Sequence, residues 1–159
     1  MYITTSRKPS ANTRILARTI SSFISGEYDN RGKKSIESIV SIAQKAGHTR
    51  AIIISETKGN PNRLRFISIP EKSLPESQKE GWEWLEPEIL FNVSAPDVKR
   101  IRTLGKELSF KAADPGDKEL LDKLFDPTDP ETDELVEIKM TATHLSFRYK
   151  DNLLTLKLR

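Results

Sequence analysis

The chain contains no cysteine. Disulfides, a catalytic thiol and thiolate metal sites are thereby excluded, and a cytoplasmic setting is the expectation. Histidine is almost as scarce. His48 and His144 are the only two, and neither has a carboxylate or second histidine at metal-ligand spacing. Long apolar runs are missing too: the longest, Ala51 to Ile54, falls far short of the roughly 20 residues that cross a bilayer. No charged segment followed by an apolar stretch opens the chain, so no secretory leader is expected. No serine has an identifiable base, and no pair of carboxylates can be argued as an acid and its partner base. The expectation is a protein that is not an enzyme, needs no cofactor and holds no metal.

What is present is charge. Of 159 residues, 31% are charged and 36% hydrophobic, which reads as a well-solvated globular domain with a real core. The net charge of +3 hides an asymmetry. From Met1 to Phe66 there are twelve Lys and Arg against four Asp and Glu; from Ile67 to Arg159 there are fourteen against nineteen. A basic half beside an acidic half points to a nucleic-acid face on the first.

The hydrophobic pattern predicts a mixed α/β chain. Tyr2 to Thr4 reads as a short strand. A helix over Ala11–Ile24, capped by Ser10, has Leu16, Ile20, Phe23 and Ile24 on one stripe, and Gly26 ends it. A second helix over Ile36–Ala46 is capped by Ser35, with Gly47 beyond it. "RAIIISET" and "RLRFISIP" read as partner strands around the turn "KGNPN". A phase break between Phe66 and Ile67 predicts a bulge or a strand buried on both faces. "WEWLEPEILFNVS" resumes extended structure. Helices are expected over Ala95–Leu108 and through "DKELLDKLF", then an acidic loop "DPTDPETDE". Three strands close the chain: "LVEIKMT", "HLSFRYK" and "LLTLKLR", the last two joined by a tight turn at Asp151-Asn152. The order hints at a duplication, with approximate halves 1–80 and 81–159.

Two cation-rich turns each precede a helix start. Arg7 and Lys8 lie before the first, where free backbone N–H groups and a partial positive charge suit a phosphate. Arg14 and Arg18 follow four residues apart, on one face with Ser21, Ser22 and Ser25; like charges at that spacing repel by roughly 0.2–0.5 kcal/mol, a penalty a polyanion would reverse. "NRGKKS" carries Arg31, Lys33 and Lys34 around Gly32. It fails as a nucleotide P-loop, because the glycine spacing is wrong and a helix precedes it instead of a strand. A third cluster, "KGNPNRLR", holds Lys58, Arg63 and Arg65. Each cluster can also be an ordinary solvated turn, and strand-end Ser and Thr often cap backbone groups rather than ligands. Trp82 and Trp84 alternate onto one strand face, as packing or base-stacking groups. Asp126, Asp129, Asp133 and Glu134 lack the calcium-loop pattern and read as a solvated acidic loop.

"MYITTSRKPSANTRILART", "YDNRGKKSIESIV" and "ISETKGNPNRLRFI", continuing into "ILFNVS", resemble the Brix domain family, and within it the short stand-alone archaeal members. The T-S-R-K-P-S…T-R opening, the N-R-G-K turn and the G-N-P turn occur in the family's order and spacing over about the first sixty-five residues. The resemblance implies a single Brix domain over 1–159. It implies two similar α/β halves, each like the anticodon-binding domain of class II aminoacyl-tRNA synthetases. It also implies a non-catalytic ribosome biogenesis factor that binds ribosomal RNA or its precursor.

On charge and position, the RNA-contacting residues are expected to be Arg7, Lys8, Arg14, Arg18, Arg31, Lys33 and Lys34, with Arg63 and Arg65 extending the patch. The alternative is a protein–protein adaptor working through its acidic half, with ribosomal proteins or other assembly factors as partners. No membrane is expected as a partner. The segment Ile3–Arg14 either contacts RNA or braces the two halves.

Overall fold

One nine-stranded mixed sheet carries the other elements. The computed structural model describes residues 1–71, 81–93, 107–112, 114–127 and 135–159. The strands are β1 (Tyr2–Thr5), β2 (Glu27–Tyr28), β3 (Arg50–Thr57), β4 (Asn60–Ser68), β5 (Glu83–Val93), β6 (Glu107–Ala112), β7 (Leu135–Thr141), β8 (His144–Tyr149) and β9 (Asn152–Leu158). The helices among the described residues are α1 (Ala11–Phe23), α2 (Ile36–Lys45) and α3 (Pro115–Phe125). The strand order is β2-β1-β3-β4-β5-β9-β8-β7-β6. β1 runs parallel to β2 and β3, and β6 parallel to β7, while the other neighbours are antiparallel.

Strand alternation divides the apolar residues between the two faces of this sheet. Leu16, Ile20 and Phe23 of α1 and Leu121, Leu124 and Phe125 of α3 cover one face, in a core that runs from Ile3 to Leu156. Phe125 stands at its centre, its ring 5.2 Å from Phe66, 6.0 Å from Phe110 and 6.0 Å from Phe147. On the other face α2 packs Ile39, Val40 and Ala43 onto Tyr2, Ala51, Ile53 and Ile67. Trp82 and Trp84 join that smaller core edge-to-face, with centroids 6.1 Å apart, so they are packing residues.

The caps follow the expected chemistry. Ser10, Ser35 and Asp114 each accept a backbone N–H of the helix they precede. The phase break is that of a strand buried on both faces, with a register shift close by. Phe66 belongs to one core and Ile67 to the other, and the register against β5 shifts between Leu64 and Phe66.

Four local expectations need correction. The β3–β4 turn is Lys58-Gly59, and Asn60 to Asn62 already belong to β4. The last hairpin turns at Lys150-Asp151, with Asn152 paired to Tyr149. The two-residue β2 was not foreseen. It requires Gly26 before it, because a Cβ there would collide with the Ile3 side chain and lie 3.0 Å from the Met1 carbonyl. Leu108, expected at a helix end, lies in β6, where Leu108 and Phe110 pack against the larger core. Glu107 of that helix also lies in β6; its remainder, and Asp129, Asp133 and Glu134 of the acidic loop, fall outside the described residues.

Candidate nucleic-acid interface

Because β1, β2 and β3 are mutually parallel, their C-terminal ends lie at one edge of the sheet. The chain leaves that edge three times. Residues 6–10 lead from β1 into α1, residues 29–35 lead from β2 to α2, and Lys58-Gly59 turns β3 into β4. The strand order β2-β1-β3 puts the first turn between the other two. Turns far apart in sequence therefore become neighbours.

Direct contacts bind them. The Ser10 hydroxyl lies 2.9 Å from the Gly59 carbonyl and 2.7 Å from Glu56 Oε2. The same Glu56 oxygen accepts the Ser10 N–H at 2.9 Å and the Thr13 hydroxyl. The N-terminus of α1, expected to suit a phosphate, thus holds a carboxylate of this chain. Partial burial works against the charged form of Glu56. Hydrogen bonds from Thr13 and Ser10 outweigh it and hold the carboxyl below its usual range. The hydroxyls of Ser10 and Thr13 therefore serve the fold first. Thr4 Oγ1 donates to the Asp29 carbonyl at 2.8 Å, and Thr5 Oγ1 is buried with no partner among the described residues.

The second turn is pinned by Asp29. Its Oδ2 accepts the Tyr2 hydroxyl at 2.6 Å and Lys34 Nζ at 2.8 Å. Burial disfavours that carboxylate, but the bonds from Lys34 and Tyr2 prevail and lower its pKa. Burial and the adjoining Asp29 charge push the Tyr2 hydroxyl upward. Lys34 also donates to the Asn30 carbonyl at 2.6 Å, and Arg31 Nε to the Lys34 carbonyl at 3.3 Å. Lys34 is thus committed to shaping the turn.

The remaining cations stand outward. Arg7, Lys8, Arg14, Arg18 and Lys33 are exposed. Arg31 is half-buried, and burial together with the charge of Arg7 pulls its guanidinium below the ordinary value. It stays protonated at neutral pH. Two arginines from different turns are therefore close enough to feel each other. Lys8 and Lys58 both hold left-handed backbone, with φ of 51° and 50°, a conformation that costs a non-glycine residue about 1 kcal/mol or more. Arg14 Nη1 donates to the Pro9 carbonyl at 3.2 Å, and Arg18 lies 5.4 Å from the Tyr28 ring centroid. Of the serines expected beside them, Ser21 is buried and donates to the Gly26 carbonyl, and Ser22 donates to the Arg18 carbonyl.

Arg63 and Arg65 do not join this edge. They lie along β4 on the α2 side of the sheet, each near Glu88 at 3.5 and 3.7 Å, with Arg65 stacked 3.6 Å from the Trp84 ring centroid. Sequence reasoning missed Glu56 altogether. Its partner Ser10 is 46 residues away, and no local pattern announces it.

The two histidines are used by the fold. His48 sits 3.0 Å from both the Met1 amino group and Glu27, and His144 Nδ1 lies 2.8 Å from the Thr143 hydroxyl. Among the described residues no group of three or more His, Asp or Glu could hold a metal, and no helix is long and apolar enough to cross a membrane.

No family model matches the chain. Curated relatives and solved structures do. A probable Brix domain-containing ribosomal biogenesis protein of Archaeoglobus fulgidus is 44% identical over 72 residues, covering 45% of this chain and 44% of that protein. One from Methanococcoides burtonii is 32% identical over 161 residues, covering 97% of this chain and 90% of the relative. The crystal structure of a probable ribosomal biogenesis protein from Aeropyrum pernix K1 superposes with a TM-score of 0.73 at 23% identity, over 98% of this chain and 94% of the other. That of Mil, an archaeal Imp4-like protein, gives 0.65 at 24% identity, over 100% and 97%. At such identities these two structures speak for the fold alone. The Methanococcoides burtonii relative matches along almost the whole length of both chains, and on that ground the chain belongs to the family of archaeal Brix domain-containing ribosomal biogenesis proteins.

Proposed function

We propose that this chain is a non-catalytic ribosome biogenesis factor that binds ribosomal RNA or its precursor along the three-turn edge, in the cytoplasm. The observation that carries the reading is the convergence of the turns. Arg7 and Lys8 from the first, Arg31 and Lys33 from the second and Lys58 from the third share one rim, with Arg14 and Arg18 continuing down α1. Cations gathered this closely repel one another, and a polyanion converts that repulsion into binding. Such contacts position RNA without reading its bases. Specificity then comes from RNA shape or from unpaired segments. The names of the relatives support the ribosome-assembly context.

The strand order supports a finer reading of the fold. β1-β3-β4-β5 and β6-β7-β8-β9 meet at the β5–β9 pair, with α1 and α2 between the first two strands of one set and α3 between those of the other. We read these as two similar α/β halves, each resembling a class II synthetase anticodon-binding domain.

The test is binding to labelled precursor rRNA across a salt series, beside an Arg7→Glu/Lys8→Glu/Arg31→Glu/Lys33→Glu variant with the same circular dichroism. Each lost phosphate contact removes about 0.7–0.9 from the slope of log K against log salt, so the variant should lose roughly 3. An unchanged slope overturns the assignment of these residues. The adaptor reading rests on the exposed Glu119 and Asp122 of α3. Recovery of ribosomal proteins after complete RNA digestion, with no RNA affinity in the purified protein, would put it first.

A further inference from the structure

The second half sums to a negative charge, yet its two faces differ. α3 lies on the larger-core side and carries Asp117, Glu119 and Asp122 against Lys118 and Lys123. The opposite face of β5, β9, β8, β7 and β6 has no helix over it among the described residues, because α2 packs only at the β1-β3-β4 end. Alternation assigns its side chains. Val136, Ile138, Leu145, Phe147, Leu154 and Leu156 point into the core. Their intervening neighbours point the other way.

Those neighbours include several cations, beside Glu137, hydroxyl side chains and the exposed Leu135 and Leu153. Lys111 and Lys139 face each other across β6 and β7. Arg148 of β8 is paired with Glu137 of β7, and Lys157 of β9 lies between His144 and Asn92. All four of these cations are exposed, as is Arg159, whose guanidinium is held by the Asn92 side chain. The described carboxylate among them is Glu137. Lys111 Nζ bonds it at 2.6 Å. That bond, with the charges of Arg148 and Lys139 around it, holds its carboxyl below the usual range. On the side toward β4 the strip continues with Arg63, which shares Glu88 with Arg65.

Like charges directly opposite on neighbouring strands, as Lys111 and Lys139 are, destabilise a sheet. Among the described side chains, Glu137 alone does not neutralise the set. Among the described residues of β6 to β9, none of the outward side chains is Phe, Tyr or Trp. The face therefore has no platform on which bases could stack. Ser109 and Thr155 lie at nearby cross-strand positions and add hydroxyl donors for phosphate oxygens, while the Ser146 hydroxyl donates to the Lys139 carbonyl at 3.4 Å.

We infer that the face of β9-β8-β7-β6 opposite α3 is a second RNA-backbone surface, on which Lys111, Lys139, Arg148, Lys157 and Arg159 contact phosphates without reading sequence. This inference rests on the RNA-binding reading above, but it uses a different half of the chain and none of the three-turn edge. It also gives the negative second half a binding surface for the same polyanion.

The test uses the full chain and a labelled mixed-sequence RNA transcript, with labelled polyglutamate as a second probe. The sheet-face variant is Lys139→Gln/Arg148→Gln/Lys157→Gln. All three side chains are exposed, and circular dichroism checks that the fold is kept. The expected result is weaker RNA binding, a salt slope smaller by about 2–3, and no binding of polyglutamate. The loss should be similar on poly(U) and poly(A).

If the wild type binds RNA and the four-residue turn variant weakens it, while the sheet-face variant keeps affinity and slope, this inference is overturned and the proposed function stands. If the wild type binds no RNA, both fall. Capture of polyglutamate in preference to RNA overturns the inference in favour of an acidic protein partner. Should the triple variant misfold, Lys157→Gln alone should lower the slope by about 0.7–0.9, and no change there overturns the inference equally.

Discussion

Glu56 offers a decisive test of how the basic edge is built. Replacing it with Gln keeps an acceptor oxygen for the Ser10 N–H and the Thr13 hydroxyl but removes the charge. A hydrogen bond to a charged group contributes about 1.5–3 kcal/mol against 0.5–1.5 for a neutral one. An anion at a helix N-terminus adds about 0.3–1. The Glu56→Gln variant should therefore be less stable than wild type by about 1–2 kcal/mol at neutral pH. Glu56→Ala, which also strands the Ser10 N–H, should lose about 2–4. The folded-state carboxyl lies below its unfolded value, so its stabilisation is complete above the ordinary carboxylate range and is lost as pH falls through the lowered folded value. The gap between wild type and Glu56→Gln must consequently close on acidification. Urea denaturation followed by circular dichroism at a series of pH values reads this directly. Equal stabilities at neutral pH, or a gap that persists when Glu56 is protonated, would refute the claim that this carboxylate caps α1. RNA affinity supplies a second readout: removing an anion from a cationic rim should tighten binding modestly.

Other perturbations probe other links. Lys58→Gly relieves left-handed backbone at the hairpin tip and should raise stability by up to about 1 kcal/mol while lowering the RNA salt slope by about one contact; a loss of stability in thermal melts would contradict this. Phe125→Ala should cost about 3–5 kcal/mol, because its ring joins α3 to β4, β6 and β8. If denaturation of that variant instead shows two transitions with the first half unaffected, the shared core is not a shared folding unit. Asp29→Asn removes the charge that holds Lys34 and Tyr2. It should cost about 1–2 kcal/mol, discounted for the partly exposed carboxylate. It should also bring the Tyr2 hydroxyl back toward the ordinary range, readable by ultraviolet titration.

The sequence made the long elements legible because they obey one period each. α1 and α2 carry apolar residues at helical spacing behind a serine cap, and β3, β7 and β8 alternate or run β-branched. What it hid was short or competed for. β2 has two residues, too few for any periodicity, and exists because Met1 and Ile3 offer it carbonyls on β1. β6 was masked by the helical spacing of Val98, Ile101, Leu104 and Leu108, which runs into the period-two pair Leu108 and Phe110. Pairing with β7 decides in favour of strand. The two hairpin turns were misplaced by a residue or two because Lys58 and Lys150 take positive φ, a role that Gly, Asn or Asp would have advertised.

The charges of the candidate site were legible and their assignments only partly so, for a physical reason. A linear count cannot tell which of two faces a strand residue occupies once the register is unknown. Arg63 and Arg65 counted toward a basic first half, yet they point along a face that continues into the second half. The second half counted as acidic, yet its carboxylates on α3 and its cations on β7 to β9 lie on opposite sides of one sheet. The net charge of a half is therefore a poor guide to its partner in this fold. A single sheet nine strands wide gives each half two surfaces, and an acidic sum remains compatible with a polyanion-binding face wherever cations outnumber acids on one of them. This is why the sheet-face lysines, and not the acidic total, are the residues to change when the second half is tested for RNA contact.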